Sequence, residues 1–171
     1  MADDNEGKAA MDGNGDASEM AGPAIHILVQ YVKDFSFENP NAPMVLQETE
    51  QQPKINVSVN VNAKPLDEHM QDFEVELMID AKADTDTDVV FAVEIVYGGV
   101  FRFENIPEEN LQPVVMIEGP RLLFPFVRQI ISDATRNGGF PPLLLDPIDF
   151  GRLYQDRIAQ AQADAGEQPQ S

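Results

Sequence analysis

The stretch GPRLLFPFVRQIISDATRNGGFPP, residues 119–142, carries the strongest helix signal in the chain. Its apolar side chains recur at the i, i+3, i+4, i+7 spacing of an amphipathic helix: Leu123, Phe126, Val127, Ile130, Ile131 and Ala134. Pro125 is expected in the first turn, where its missing N–H is not needed. Gly138 and Gly139 are expected to end the helix in a left-handed conformation, and the two prolines that follow prevent its continuation.

The apolar stripe of this helix is wider than one contact surface requires. One interpretation is that the helix buries one flank on its own sheet and offers the other to a second subunit, which makes its six apolar residues a candidate oligomer interface. The alternative is a core helix of a single chain. The pattern alone leaves both open.

The composition limits the class of protein. The 171 residues suit one domain, and a hydrophobic content of 43% is enough for a core. The chain has no cysteine, no run of about 18 apolar residues and an acidic start, so we expect a cytoplasmic protein without a membrane span or disulfides. We expect residues 1–23 to form a disordered acidic tail, residues 24–165 the folded domain and residues 166–171 a second disordered tail.

The charge balance points to the kind of partner. Lys and Arg total 11 and Asp and Glu total 30, which gives a net charge of −19. Such a surface repels nucleic acids and anionic membranes and attracts a basic protein. The alternative is that the acids only keep the protein soluble.

Alternating apolar residues predict four strands at residues 25–33, 54–62, 73–83 and 89–103. In the first of them, Ile25, Ile27, Val29 and Tyr31 are expected on one face, and residues 34–43 are expected to form a loop. Strands that are neighbours in sequence usually pair, so we expect one antiparallel sheet.

The helices follow the strands. A short helix is possible at residues 107–118, and the main helix comes next. Asp149 is a plausible N-cap of a last helix that runs to about residue 165, with Asp146-Pro147 as a rival start. The sequence therefore predicts an α+β fold, with a long amphipathic helix and a C-terminal helix on one face of a four-stranded antiparallel sheet.

The sequence offers no set of residues for catalysis. His26 and His69 stand far apart without a motif, and neither a nucleophile elbow nor a phosphate-binding glycine loop is present. We therefore expect a protein that is not an enzyme and has no cofactor and no metal site of its own.

Two surfaces remain as candidate binding sites. The apolar side of the second strand and the narrow apolar stripe of the last helix would leave a trough for extended apolar peptide if their mutual cover is incomplete; the alternative is that they simply close the core. On the other face, Glu76 and Glu94 point away from the apolar sets of their strands, and Asp34 and Glu38 lie nearby in the expected loop. These acids would form one negative patch, or an ordinary solvated face.

Three motifs, in order along the chain, resemble the SecB family of cytoplasmic export chaperones of Gram-negative bacteria. They are KDFSFENPNAP at residues 33–43, Glu94 through GGVF at residues 98–101, and LFPFVR at residues 123–128 followed by GFPPL at residues 139–143. The resemblance covers about residues 25–160.

The resemblance implies a homotetramer, a dimer of dimers with the long helices between the dimers. It implies that unfolded preproteins bind in surface grooves and pass to the SecA ATPase, whose C-terminal zinc module is basic. By position, the SecA-binding residues are Asp34, Glu38, Ala92 and Glu94, and Ala92 is smaller than the residue expected there. The groove residues are Ile55, Val57, Val59, Tyr154 and Ile158, and the helix pattern adds Leu153. A second hypothesis is a SecB-like interaction protein that shields a dedicated basic client such as a toxin.

Overall fold

The fold is one four-stranded antiparallel sheet with two helices on one side. The computed structural model describes residues 22–47 and 52–166. Its elements are β1 (Ala24–Glu38), a 3-10 turn (Met44–Leu46), β2 (Lys54–Pro65), β3 (Asp72–Asp84), β4 (Val89–Glu104), α1 (Glu108–Asn137) and α2 (Phe150–Gly166). The predicted α+β class is confirmed. Residues 1–21 and 167–171, which hold most of the two expected tails, lie outside the described part.

The strand order is β1-β4-β3-β2, so the expectation that every strand pairs with its neighbour in sequence is wrong for β1. Short turns join β2 to β3 and β3 to β4, and these strands do pair as neighbours. The link from β1 to β2 is long and contains prolines, which allows β1 to cross the sheet and pair with β4 from Ala24↔Glu104 to Glu38↔Ala92. Therefore β1 and β2 form the two edges.

The helix-facing side of the sheet holds the core, and the opposite side, called here the outer face, does not. Fully buried apolar side chains come from alternate residues of the two central strands: Val75, Leu77 and Ile79 of β3 and Val93 and Ile95 of β4. The predicted alternation of these strands is confirmed.

Strand β1 is longer and less regular than expected. The expected loop at residues 34–43 begins only after Glu38, because Phe37 packs on Phe91 of β4 with ring centroids 6.1 Å apart and the pairing with β4 continues to that point. Two bulges, between Ile27 and Val29 and between Val32 and Asp34, shift the register. Since a bulge moves the following side chains to the other face, Val29 does not share a face with Ile27, and that part of the prediction is wrong.

Helix α1 is one helix of 30 residues rather than a short helix followed by the main one. Pro113, Pro120 and Pro125 all lie inside it, so the placement of Pro125 in the first turn is wrong. Burial of Val115 and Leu123 against the sheet, on either side of Pro120, offsets the hydrogen bonds that the prolines remove. The predicted end is correct: the helix stops at Asn137 and Gly139 has φ +91°.

Helix α2 begins directly after Asp149, the residue that the sequence predicted as its N-cap. The N–H of Arg152 donates to Oδ1 of Asp149 at 3.0 Å, which makes Asp149 the N-cap residue. The helix docks on α1 through an edge-to-face contact between Phe150 and Phe124, with ring centroids 6.1 Å apart. This contact places α2 beside the edge strand β2.

Candidate functional site

A groove lies between the edge strand β2 and helix α2. Val59 on the strand and Leu153 and Tyr154 on the helix line a cavity of about 340 Å³. Tyr154 also lines an adjoining cavity of about 280 Å³, together with Ile158 from the next turn. The structure therefore brings these four predicted groove residues together.

The groove continues past the residues that the sequence indicated. Met116 of α1 borders both cavities and also a third one of about 780 Å³, which reaches Met70 in the β2–β3 hairpin. Phe73 and Phe103 line that third cavity. The sequence pattern did not indicate this part, although Phe73 begins the alternating apolar series of β3 and Phe103 lies at the end of β4. Methionine at the shared position suits a floor that adapts to different side chains.

Ile55 and Val57 lie on the same side of β2 as Val59, but they do not line these three cavities. They pair with Ala83 and Ala81 of β3, which are buried in the helix-facing side of the sheet. Their side chains are nevertheless 47% and 44% exposed. The result is an open apolar strip that leads along the strand to the enclosed groove.

Arg157 of α2 joins the helix to the sheet edge. Its guanidinium donates to the backbone carbonyl of Val61 on β2. The N–H of Val61 donates to the side-chain oxygen of Asn60 at 2.9 Å. Neither Arg157 nor Asn60 was predicted from the sequence, because a single arginine on a charged helix and an asparagine on a strand carry no distinctive pattern.

The four predicted SecA-binding residues share the outer face. In the register of β1 and β4, Glu38 pairs with Ala92, Ser36 with Glu94, and Asp34 with Val96. Glu94 is exposed between Val93 and Ile95, which point into the core. Within the described residues, no cation lies within 4.0 Å of the carboxylates of Asp34, Glu38 or Glu94.

The other half of the outer face is neutralised by a network around Glu74 of β3. Glu74 is only 7% exposed. Its carboxylate accepts hydrogen bonds from Tyr31 and Lys33 of β1 and contacts Lys64 of β2 at 2.6 Å. The hydrogen bond from Lys64, then those from Tyr31 and Lys33, lower the pKa of Glu74 to about 2 against the cost of burial. The Tyr31 ring lies so close to Gly98 that a larger residue there would collide with it: an added Cβ would lie 2.7 Å from the ring.

The candidate oligomer interface divides into two sets. Leu123, Val127 and Ile131 are fully buried against their own sheet, so their assignment to a subunit interface is wrong. Ile130 and Ala134 are half-buried. Phe126 is 44% exposed and stacks on Tyr97 with ring centroids 6.2 Å apart.

Phe126 belongs to an exposed apolar surface made by α1 and β1. Tyr97, under Phe126, pairs with Val32, and the neighbouring helix-facing residues of β1 are also exposed. We call this surface the β1–α1 patch and define it by Ile27, Val32, Phe35, Leu122 and Phe126.

The described residues contain neither a candidate metal site nor a candidate membrane span. No group of three or more His, Asp or Glu side chains is placed to hold a metal ion. No helix in this part of the chain is long and apolar enough to cross a membrane.

Comparison with known proteins decides the family. The profile of the family described as Preprotein translocase subunit SecB matches residues 18–161. The chain belongs to the SecB family. A protein-export protein SecB of Azorhizobium caulinodans is 55% identical over 150 residues, which cover 87% of this chain and 92% of the relative. A SecB of Xanthobacter autotrophicus is 56% identical over 147 residues, 86% of this chain and 93% of the relative.

A solved structure shares the SecB fold. It is a SecB-like chaperone of Mycobacterium tuberculosis in complex with a ChAD peptide from the HigA1 antitoxin. It superposes with a TM-score of 0.58 and 17% identity, over 72% of this chain and 90% of that one. At this identity the likeness concerns the fold alone, and the SecB assignment rests on the sequence relatives.

Proposed function

We propose that this SecB-type protein is a cytoplasmic holdase chaperone that binds unfolded preproteins and delivers them to the SecA ATPase. The observation that carries the proposal is the groove between β2 and α2, whose apolar residues Val59, Leu153 and Tyr154 are continuous along β2 with the exposed Ile55 and Val57. A site of this shape binds stretched apolar chain with little selection for sequence.

The expected affinity fits a chaperone that must release its client. Burial of one large apolar side chain contributes about 1.5–3 kcal/mol, so three such contacts give about 5–9 kcal/mol before ordering costs. That corresponds to micromolar binding at best. In a homotetramer, several grooves acting on one long chain raise the apparent affinity by about 10²–10⁴, and a folded protein cannot reach more than one of them.

Delivery to SecA is proposed to use the unneutralised half of the outer face. Asp34, Glu38 and Glu94 stand there without a cation partner in the described residues, and the basic C-terminal zinc module of SecA complements that charge. Ala92 offers a small apolar contact among them. The chain needs no cofactor in this scheme, because the ATPase partner supplies the energy for release.

Relatives of more than half identity named protein-export protein favour export over a dedicated basic client. The two are separated by pull-down from a strain that lacks SecA. Recovery of many unfolded preproteins supports the export function, and recovery of one basic protein supports the alternative.

The test of the groove is Val57→Asp beside Asn56→Asp. Both variants add one carboxylate to the same strand, but Val57 faces the helices and Asn56 the outer face. With reduced, carboxamidomethylated α-lactalbumin as the client, we expect Val57→Asp to weaken binding at least about tenfold, because a charge must be desolvated in the apolar strip. Asn56→Asp is expected to bind normally. Equal affinities in a fluorescence titration, with unchanged native mass, would refute the groove assignment.

A further inference from the structure

The free edge of β2 shows a strict alternation of backbone direction. Just past the strand, the N–H of Leu66 donates to the carbonyl of Asp72 at 2.8 Å, so even-numbered residues point their backbone groups towards β3. The carbonyl of Val61 instead accepts from Arg157, so odd-numbered residues point theirs away from the sheet. The register has no bulge from Lys54 to Pro65. The outward positions before Val61 are therefore Ile55, Val57 and Val59.

This edge is blocked at Val61 and open over the three outward positions before it. Both outward groups of Val61 are already used, the N–H by Asn60 and the carbonyl by Arg157. Beyond Val61, Ala63 is a further outward position without a hydrogen-bond partner among the described residues, and Pro65 has no N–H to offer. In the described part of the chain, the outward N–H and carbonyl groups of Ile55, Val57 and Val59 have no hydrogen-bond partner. Three residues thus present six main-chain groups to an incoming strand.

The side chains of this edge do not carry the acidic charge that dominates the rest of the chain. The outer-face residues of β2 include no acid, although the chain has 30 acids in total; they are Lys54, Asn56, Ser58, Asn60, Asn62 and Lys64. The open positions are continuous with the groove through Val59. Main-chain bonds also suit a binder of many sequences, since every unfolded segment carries them.

We propose that an unfolded client segment adds to the sheet as a strand beside β2, bonded to Ile55, Val57 and Val59, and that Arg157 and Asn60 end this added strand at Val61. The inference rests on the proposed function and specifies how the same site holds its client. Side chains of the added strand enter the apolar strip and the groove, while its main chain completes the edge.

Amide hydrogen exchange, resolved by residue on the full chain, tests the added strand. With saturating reduced, carboxamidomethylated α-lactalbumin, we expect protection of the Ile55, Val57 and Val59 amides to rise at least about tenfold. The Val61 amide is expected to stay unchanged, because its donor is already bonded to Asn60. Protection of the first three amides without client would mean that a second copy occupies the edge, and would overturn the proposal.

A matched pair of variants separates main-chain from side-chain binding. Val57→Ala shortens the side chain and keeps the outward N–H, whereas Val57→Pro also removes that N–H without touching the ladder to β3. We expect Val57→Pro to bind the client at least about fivefold more weakly than Val57→Ala. The proline cannot donate a main-chain hydrogen bond to the client, and its ring blocks the neighbouring position of the added strand. If Val57→Pro does not fold, exchange on the unaltered chain still decides.

The outcomes of these experiments distinguish the added strand from the proposed chaperone function on which it rests. Client binding with unchanged amide exchange, or with equal affinities for folded Val57→Pro and Val57→Ala, overturns the added strand and leaves the chaperone function standing. Failure of the unaltered chain to bind the client overturns both.

Discussion

The two edges of the sheet, β1 and β2, differ in the regularity of their pairing and in the side chains that they expose. Strand β1 has two bulges, which bring Val32 and Phe35 to the helix-facing side and leave Val29 exposed on the outer face. Strand β2 keeps one register over its whole length and lines its outer face with amides, a serine and two lysines. An irregular edge resists addition of a foreign strand, and a regular one invites it.

This difference in regularity indicates which kind of partner each edge suits. The bulges of β1 help to build the β1–α1 patch, a fixed apolar surface of the kind that matches one partner, such as a second copy of the chain. The regular edge of β2 offers repeated main-chain groups beside a groove that Met116 helps to line. Both features suit partners of varied sequence. In the proposed function, the same small sheet separates self-association from client binding.

Phe126→Asp is the strongest way to break this comparison. A charge in the β1–α1 patch must be desolvated if the patch is a subunit interface, so we expect the proposed homotetramer to dissociate. Light scattering should show the loss of a species of about 76 kDa, four times the 18.9 kDa of one chain. Leu66→Asp, at an exposed leucine in the β2–β3 hairpin, is the control and should keep the mass. A tetramer with normal mass in Phe126→Asp would show that this patch is not the interface.

Glu94→Lys sharpens the comparison at the outer face of the β1–β4 pair. Reversal of one unpaired charge in the acidic half should weaken docking of the SecA C-terminal module about tenfold and reduce its salt dependence. Client affinity should not change, because the groove lies on the other side of the sheet. Asp164→Lys makes the same change of charge on α2 and should dock normally in calorimetry. Equal loss in both variants would point to net charge rather than to a defined site.

Glu74→Gln is expected to have the smallest effect, and it tests the carboxylate that links both edges. The folded pKa of Glu74, about 2, lies below its ordinary value of 4.5, so its contribution to stability is complete above pH 5 and is lost as the pH falls towards 2. We expect the variant to be less stable by about 1–2 kcal/mol at pH 6, after allowance for the exposed lysines. The gap in unfolding free energy should close by pH 2. A gap that is constant with pH would contradict the ion network.

The sequence predicted most of the site but not its extent. Local alternation placed Val59, and helix spacing placed Tyr154 and Ile158, and all three line the groove. The third cavity depends on Met116 and on residues from the hairpin and the start of α1, which meet only after the chain has folded. The acids of the outer face were indicated by the strand pattern as well as by the resemblance. The structure differs in placing Asp34 and Glu38 on a strand rather than in a loop, and in pairing Glu76 with Lys33.

By itself, the sequence determined that there are four strands and roughly where each lies, the end of α1 at its glycine pair and the cap of α2 at Asp149, because each depends on residues within a few positions of one another. Only the tertiary structure decided that β1 pairs with β4, that two bulges exchange its faces and that three prolines lie within one helix. Those features depend on burial shared between residues far apart in the chain, and such burial outweighs local preference where the two conflict.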